Sequence, residues 1–389
     1  METRARLAAR VAEIAPFHVM EVQTAARALE AAGRSIVHME IGEPDFPTPA
    51  PVIAAAQRAI AEGGVYYTSA LGLPELRAAI AAHYASHYGV AIGPERVIVT
   101  AGSSAALLLV MALLVNRDDR ILLADPGYPC TRHFVRVLEG DPFGVPVGAD
   151  TGYQLTASLI ERHWTPGTRG ALIASPSNPT GTTVPRDEMA RIAQTVRRQG
   201  GTLIVDEIYL GLSYDAPPVS ALALDDDAFV VSSFSKYFNM TGWRLGWIVA
   251  PERHVRDLEK LAQNLYISPP TPSQRAALAC FLPETLAIVE ARRQAFRARR
   301  DHLVPALREL GFGIPVMPSG GFFVYADITR FSRDSERFCR EALEHAGVAL
   351  TPGIDFGRHR ASDHVRFSYT IDEPKLREAI ERLRRWLRG

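Results

Sequence analysis

The segment SFSKYFNMTGWRLG, Ser233–Gly246, carries a lysine where a hydrophobic run comes to its end. That position of Lys236 is unlike that of a typical solvated surface lysine. Serines lie one and three residues before Lys236, and Arg244 lies eight residues after it. Burial and positive neighbours lower the pKa of a lysine and so free its amine. The segment therefore suits a phosphorylated aldehyde bound as a Schiff base, with hydroxyls and a guanidinium nearby.

Short aliphatic or β-branched runs recur along the chain and have the composition of strands that are buried on both faces. These runs are Arg96–Thr100, Ile121–Ala124, Ala171–Ala174, Thr202–Val205 and Ala228–Ser232. Helical patterns such as Pro74–Tyr88 and Arg186–Gln199 lie between them. Because strands alternate with helices, we expect an α/β fold with a mainly parallel sheet that helices cover on both faces.

The pattern of the chain changes near Pro283. A long charged stretch, Glu284–Leu310, predicts one extended helix, and Glu373–Leu387 predicts a final amphipathic helix. Strands marked by glycine and proline are expected between these two helices. We therefore predict a large domain over residues 46–285 and a smaller α+β domain formed by residues 1–45 and 286–389.

The composition is that of an ordinary globular protein. Lys plus Arg and Asp plus Glu both total 43 among 389 residues, so neither nucleic acid nor an anionic membrane is expected as a partner. The cysteines Cys130, Cys280 and Cys339 lie far apart, which argues against a zinc site or a disulfide framework. The N-terminus lacks an apolar core of signal-peptide length, and the run Ala105–Val115 is too short to span a bilayer. We expect a buried helix there, and a soluble protein of the reducing cytoplasm.

The loops after the predicted strands are candidates for ligand binding, because ligands of open α/β sheets sit beyond the carboxyl ends of the strands. Ala101–Ser104 offers small residues and a helix start to an anion. Ser175–Gly181 holds Asn178 between two prolines, and Asp206 ends a buried strand. Helix capping or an ordinary turn explains each of these loops when it is taken alone.

Taken together, the motifs resemble one family. The order GEPDF, AGSSAAL, SPSNPTG, DEIY and SFSKYFNMTGWRLG is similar to that of the class I/II aminotransferases of pyridoxal-phosphate (PLP) fold type I. The branch of bacterial aspartate and alanine aminotransferases is the most similar, and the match runs essentially end to end. The resemblance implies a large domain with a sheet of the seven-stranded type between helices. It also implies PLP-dependent, ping-pong transfer of the α-amino group of an L-amino acid to 2-oxoglutarate or pyruvate.

The same resemblance assigns the catalytic roles. Lys236 would form the Schiff base and shuttle a proton, and Asp206 would keep the pyridine nitrogen protonated, which makes the ring an electron sink. Tyr209 and Asn178 would hydrogen-bond the phenolic oxygen of the cofactor. Tyr128 would stack on the ring.

Phosphate and substrate contacts are implied in the same way. The residues expected around the phosphate are Gly102, Ser103, Ser104, Ser233, Ser235, Arg244 and, from a neighbouring subunit, Tyr67. The last of these implies a homodimer with shared active sites. Arg366 would grip the α-carboxylate of the substrate together with Gly42, and Tyr128 and Asn178 also lie on the substrate side.

Two departures from the family pattern bear on the substrate. Relatives that prefer aspartate often carry a basic residue near the phosphate loop, where this chain has Ser104. The segment around Phe17 is also bulkier than the small hydroxyl residues of such relatives. Both differences favour a less acidic donor, such as alanine or a larger apolar or aromatic amino acid.

Two other functions stay open at this point. A PLP-dependent β-lyase on the same fold would use Lys236 in the same way but release a group from Cβ. A PLP-binding regulator would carry a DNA-binding helix-turn-helix ahead of this domain, and this chain begins almost directly with the N-terminal segment of the family.

Two polar clusters are predicted to have no part in the chemistry. His83 and His87 share a helix face at a spacing that suits a metal, but without a third ligand they are predicted to be a surface pair. The run Asp225–Asp227 is predicted to be a solvated loop.

Overall fold

The computed structural model describes residues 7–388. The α-helices of this range are α1 (His18–Ala31), α2 (Ala50–Ala61), α3 (Pro74–His83), α4 (Ser103–Leu114), α5 (Pro129–Val137), α6 (Ala157–His163), α7 (Arg186–Arg198), α8 (Glu252–Tyr266), α9 (Thr271–Ala277), α10 (Pro283–Leu310), α11 (Ser335–Glu341) and α12 (Glu373–Arg388). The strands are β1 (Val37–His38), β2 (Val97–Thr100), β3 (Arg120–Asp125), β4 (Asp141–Pro146), β5 (Thr168–Ala174), β6 (Thr202–Asp206), β7 (Phe229–Ser233), β8 (Gly246–Val249), β9 (Phe323–Asp327), β10 (Val348–Ala349), β11 (Thr351–Pro352) and β12 (His364–Ser368).

A seven-stranded sheet organises the first two thirds of the chain, in the order β2-β8-β7-β6-β5-β3-β4. Only β8 runs antiparallel to its neighbours, β2 and β7, so the expected mainly parallel sheet is confirmed. Alternate residues of each strand enter different cores, since successive side chains of a strand point to opposite faces. In β2, Val97 and Val99 lie in the same core as Leu76 and Ile80 of α3, whereas Ile98 faces the core of α4 on the other side of the sheet.

A second layer is built from the remaining strands. Strands β11, β12 and β9 form an antiparallel sheet, and β1 pairs in parallel with β10. Leu303 and Leu307 of α10 pack with Phe323 of β9 and Leu376 of α12 in a separate core. Strand β12 of this layer reaches the carboxyl edge of the large sheet, where Arg366 of β12 contacts Asn178 in the loop after β5. The division into domains 46–285 and 1–45 with 286–389 stays a prediction.

Several element predictions are confirmed. The predicted helix Glu284–Leu310 lies within α10, and the apolar run Ala105–Val115 belongs to the buried α4 and its C-terminal end. The predicted helix Pro74–Tyr88 is α-helical only as far as His83 and then continues as a π-turn over Tyr84–Tyr88. Within residues 7–388, no helix is both long and apolar enough to cross a membrane.

The prediction that His83 and His87 form a surface pair is wrong for His83. The side chain is buried, with 4% exposure, and packs against Phe238 and Phe281 at ring-centre distances of 5.7 and 5.3 Å. Burial lowers the pKa of His83 to about 3, so the imidazole is neutral. The described residues contain no group of three His, Cys, Asp or Glu side chains that could hold a metal ion.

The solvated-loop prediction for Asp225–Asp227 is also wrong in part. Asp226 and Asp227 are exposed, but Asp225 is buried, with 5% exposure. Its carboxylate accepts hydrogen bonds from Arg197 and from the backbone of Asp227. A buried carboxylate needs such donors, because burial without them is costly.

Candidate active site

The carboxyl ends of the parallel strands bring several of the predicted residues to one cavity of about 290 Å³. Asn178 follows β5, Asp206 is the last residue of β6, and Lys236 comes three residues after β7 ends at Ser233. The predicted site residues that line this cavity are Gly42, Ser103, Tyr128, Asn178, Asp206, Tyr209, Lys236 and Arg366. Side chains that are far apart in the sequence therefore meet at one edge of the sheet.

Lys236 is partly buried, and its side chain lines the cavity. Its Nζ donates a hydrogen bond to Gly42 O at 2.6 Å. The pKa of Lys236 is lowered to about 8, mainly by burial, and the positive charges of Arg366 and Arg244 act in the same direction. About a tenth of this amine is therefore uncharged at pH 7, and the uncharged form is the one that attacks a carbonyl.

Asp206 places a buried carboxylate in the same cavity, with 6% exposure. Its Oδ1 accepts a hydrogen bond from the backbone N–H of Ile208 at 3.1 Å. Burial raises the pKa of Asp206 to about 6, and among the described residues no cation counters that shift. A bound ligand with a protonated ring nitrogen would supply the missing positive charge.

Two phenols also face the cavity. Tyr209 is buried and packs edge-on against Phe322 and Phe323, with ring centres 5.3 and 5.7 Å away. Tyr128 begins the turn into α5. Burial raises the pKa of both phenols, so each hydroxyl keeps its proton and can donate it to an oxygen.

Arg366 on β12 is buried, with 3% exposure, and its guanidinium is held from several sides. Nη1 donates to Asn178 Oδ1 at 3.0 Å, and Nη2 donates to Glu40 O and to Thr351 Oγ1. The guanidinium carbon lies 4.3 Å from the centre of the Phe323 ring. Burial lowers the pKa of Arg366 to about 10, so the group stays cationic at neutral pH. A cation fixed in this way suits a carboxylate, which accepts from guanidinium in a planar, bidentate manner.

The start of α4 has features that suit an anion. Gly102 precedes the helix with a φ of +88°, a conformation that favours glycine. A Cβ at this position would lie 2.6 Å from Arg244 Nη2, so the guanidinium lies directly over the glycine. Helix N-termini leave backbone N–H groups without intrahelical partners, and Ser103 brings these groups to the cavity.

Some predicted residues do not line this cavity. Ser233 and Ser235 are buried, and their hydroxyl oxygens lie 2.9 Å from each other. Arg244 donates to Thr241 O at 3.0 Å and is otherwise exposed. Ser104 lies within the first turn of α4, and Tyr67 is 81% exposed to solvent.

The sequence-based prediction missed residues that shape the site through backbone or packing contacts. Glu40 is fully buried, supplies a carbonyl to Arg366, and has its Oε1 2.7 Å from His38 Nδ1. Phe323 lies so close to Gly42 that a Cβ there would meet its Cζ at 2.7 Å. No residue pattern singles out Glu40 or Phe323, and the nearest signal is the position of Glu40 two residues before the GEPDF motif.

The donor set fits pyridoxal phosphate. Lys236 offers an amine for the aldehyde, and Asp206 offers a buried carboxylate without a countercharge. The start of α4, where the Arg244 guanidinium lies over Gly102, has the backbone N–H groups and the positive charge that suit a phosphate. These three elements are close enough for one cofactor, because Ser103, Asp206 and Lys236 all line the same cavity.

Comparisons with known proteins agree with this arrangement. The family described as aminotransferase class I and II matches residues 34–383. The chain is 39% identical to the valine–pyruvate aminotransferase of Mycobacterium tuberculosis over 97% of each chain. It is 34% identical to the aspartate/prephenate aminotransferase of Thermus thermophilus over 98% of each chain.

A solved structure shows the same fold. The aspartate aminotransferase from Thermus thermophilus with maleate has a TM-score of 0.93 and 33% identity, covering 98% of this chain and all of that one. The likeness confirms the expected fold type I. The chain therefore belongs to the class I and II aminotransferases, as a pyridoxal-phosphate-dependent enzyme that transfers an amino group to a 2-oxo acid.

Proposed function

We propose that Lys236 binds the cofactor covalently and moves the proton at the α-carbon of the amino donor. The observation that carries this proposal is an amine that lines the same cavity as Asp206 and Arg366, donates to Gly42 O at 2.6 Å and has its pKa lowered to about 8. Bound pyridoxal phosphate supplies a sink for the electrons that remain when the α-proton is removed. An uncharged Lys236 can accept that proton, because its amine is not already protonated.

The neighbouring side chains have distinct proposed roles. Asp206 pairs with the ring nitrogen of the cofactor, which gives its buried charge a partner. Asn178 and Tyr209 hydrogen-bond the phenolic oxygen, and the protonated hydroxyl of Tyr209 is suited to donate. Tyr128 stacks on the ring.

Arg366 orients the substrate by its α-carboxylate, and Gly42 lies on the same side of the cavity. A guanidinium fixed by Asn178 and Thr351 holds the carboxylate in one plane. This in turn fixes the direction of the bond from the α-carbon to its hydrogen, which the transfer of that proton to Lys236 requires.

The phosphate of the cofactor is assigned to one shared anion site. The residues proposed to hold it are Gly102, Ser103, Ser104, Ser233, Ser235, Arg244 and Tyr67. The exposed Tyr67 does not line the cavity of its own chain, so its proposed role is in a homodimer, where it serves the partner's site.

The donor is an L-amino acid, and the acceptor is pyruvate or 2-oxoglutarate. The name of the valine–pyruvate relative favours pyruvate. We assign the enzyme to the cytoplasm, because Cys130, Cys280 and Cys339 are all free thiols.

The test compares purified wild type with Lys236→Ala and Lys236→Arg. Wild type should be yellow and transfer amino groups from an L-amino acid to pyruvate, with one keto product formed for each amino product. Both variants should lose the visible absorption of the bound cofactor and at least about 1,000-fold in turnover, because the proton carrier at the α-carbon is lost. Full activity in either variant would overturn the assignment. Release of ammonia in place of amino transfer would show lyase chemistry.

A further inference from the structure

The active-site cavity has a wall that the proposed chemistry leaves unused. The apolar residues that line it are Phe17, Val19, Met20, Ile41, Ile208 and Phe323. Val19 and Met20 lie in the first turn of α1 and line the same cavity as Gly42. Because Gly42 and Arg366 also line this cavity, a substrate held by its α-carboxylate has its side chain within reach of this wall.

Within the described residues of one chain, the charges that line the cavity leave a second carboxylate without a counterion. Among the described residues that line it, the cations are Lys236 and Arg366, and both are engaged in the proposed chemistry. Glu43 adds a negative charge to the same lining, and its Oε1 accepts a hydrogen bond from Thr241 Oγ1 at 2.6 Å. A side-chain carboxylate there would lose hydration, gain no countercharge and be repelled by Glu43.

We propose that this wall selects amino donors with apolar side chains and rejects aspartate and glutamate. The inference rests on the proposed function and names its substrate class. Both half-reactions use one cavity, so the acceptor obeys the same rule as the donor. Pyruvate, whose side chain is a methyl group, is therefore the acceptor, and 2-oxoglutarate, with its distal carboxylate, is a poor one.

Met20 is the residue of the wall best suited to a test. Its side chain is 51% exposed, so a polar replacement does not bury a charge in the core. Lysine at this position would place a cation within reach of a distal carboxylate. Glutamine has a similar length without the charge, so Met20→Gln is the matched control for Met20→Lys.

The first experiment mixes the wild-type holoenzyme with single amino acids and follows the loss of the visible absorption of the bound cofactor. Valine, leucine and phenylalanine should react with second-order rate constants at least about 100-fold above those of aspartate and glutamate, because a buried unpaired charge is strongly rejected. The inference is wrong if aspartate, glutamate or arginine reacts as fast as the best apolar donor. If no amino acid changes the spectrum, the proposed function itself fails.

The second experiment compares the two Met20 variants with aspartate and with leucine. Met20→Lys should raise the ratio of the aspartate to the leucine rate constant at least about 10-fold, because a cation now faces the distal carboxylate. Met20→Gln should change this ratio far less. Equal ratios in the two variants would show that position 20 does not face the substrate side chain and would overturn its assignment. Thermal unfolding of both variants checks that each is folded.

Discussion

Arg366 Nη1 donates to Asn178 Oδ1 at 3.0 Å across 188 positions of sequence. Arg366 lies on β12 of the small antiparallel sheet, and Asn178 lies in the loop after β5 of the large one. The residue proposed to hold the substrate carboxylate is therefore bonded to a residue proposed to hold the cofactor. The two sheets meet in this bond at the site of the chemistry.

This contact predicts that the two side chains act as a unit. Asn178→Ala and Arg366→Lys should each lower kcat/KM, and the double variant should lose less than the sum of the two losses. The coupling should be about 1 kcal/mol, as is usual for side chains in direct hydrogen-bond contact. A double-mutant cycle on kcat/KM with one donor measures it. Additive losses would mean that the bond has no part in substrate binding.

The pKa of Lys236 predicts how the apoenzyme takes up its cofactor. Burial lowers this pKa to about 8, and only the uncharged amine attacks the aldehyde. The rate of cofactor uptake should therefore rise with pH and level off above about 8. The growth of visible absorption after mixing apoenzyme with pyridoxal phosphate, measured from pH 6 to 10, gives the midpoint. A midpoint near the ordinary lysine value would contradict the burial argument, and Lys236→Ala is the control for uptake elsewhere.

Asp206 predicts a conflict between stability and activity. Burial raises its pKa from 3.8 to about 6, so the folded apoenzyme binds this proton more tightly than the unfolded chain does. The protonated carboxyl is therefore the form that favours the folded apoenzyme, and its stabilising effect is lost as the pH rises from about 4 to 6. At pH 7 the charged carboxylate lowers the free energy of unfolding by about 3 kcal/mol.

Asp206→Asn removes that charge, so it should leave the Tm of the apoenzyme at pH 7 unchanged or higher. The same change should lower the kcat of the holoenzyme at least about 100-fold, because a neutral partner cannot keep the ring nitrogen protonated. Calorimetry of the apoenzyme and steady-state kinetics of the holoenzyme give the two readouts. A large fall in apoenzyme Tm would show that Asp206 is structural, and undiminished turnover would remove it from the catalytic set.

Much of this site could be predicted because its residues lie at the ends of recognisable strands. Strands that are buried on both faces appear in the sequence as continuous aliphatic runs. Because the carboxyl ends of parallel strands lie at the same edge of a sheet, the residues that follow these runs, Asn178, Asp206 and Lys236, are expected to lie close together. The placement of Arg366 came from the family resemblance alone, since an arginine on an ordinary strand has no local signature. Its bonds to Glu40 O and Thr351 Oγ1 join residues 326 and 15 positions away, which no local pattern encodes.

The error at His83 had a different cause. His83 lies seven residues after Leu76 and three after Ile80, so the helical period places it on the face that these two buried residues define. The polar residue type of His83 favoured a surface position, whereas the helical periodicity favoured a position in the core. The packing of Phe238 and Phe281 around the ring supports the periodicity.

Tyr67 gives the sharpest test of the proposed homodimer, because it is 81% exposed and its neighbour Tyr66 is 80% exposed. If Tyr67 reaches the phosphate in the partner's site, Tyr67→Phe should weaken cofactor affinity about 10-fold through the loss of one hydrogen bond to a charged group. Tyr66→Phe is the matched control and should leave this affinity unchanged. Dialysis against pyridoxal phosphate, followed by measurement of bound cofactor, compares the two.

Hybrid dimers decide whether the contribution comes from the other subunit. A dimer of one Tyr67→Ala chain and one Lys236→Ala chain contains one site with both defects and one site with neither, provided that Tyr67 acts on its partner. Such hybrids should have about half the wild-type activity per dimer, because one of the two sites is intact and works independently of the other. The intact site should bind the cofactor with wild-type affinity. If Tyr67 acted within its own chain, the hybrid would have no intact site, and its remaining activity would keep the weakened affinity of Tyr67→Ala.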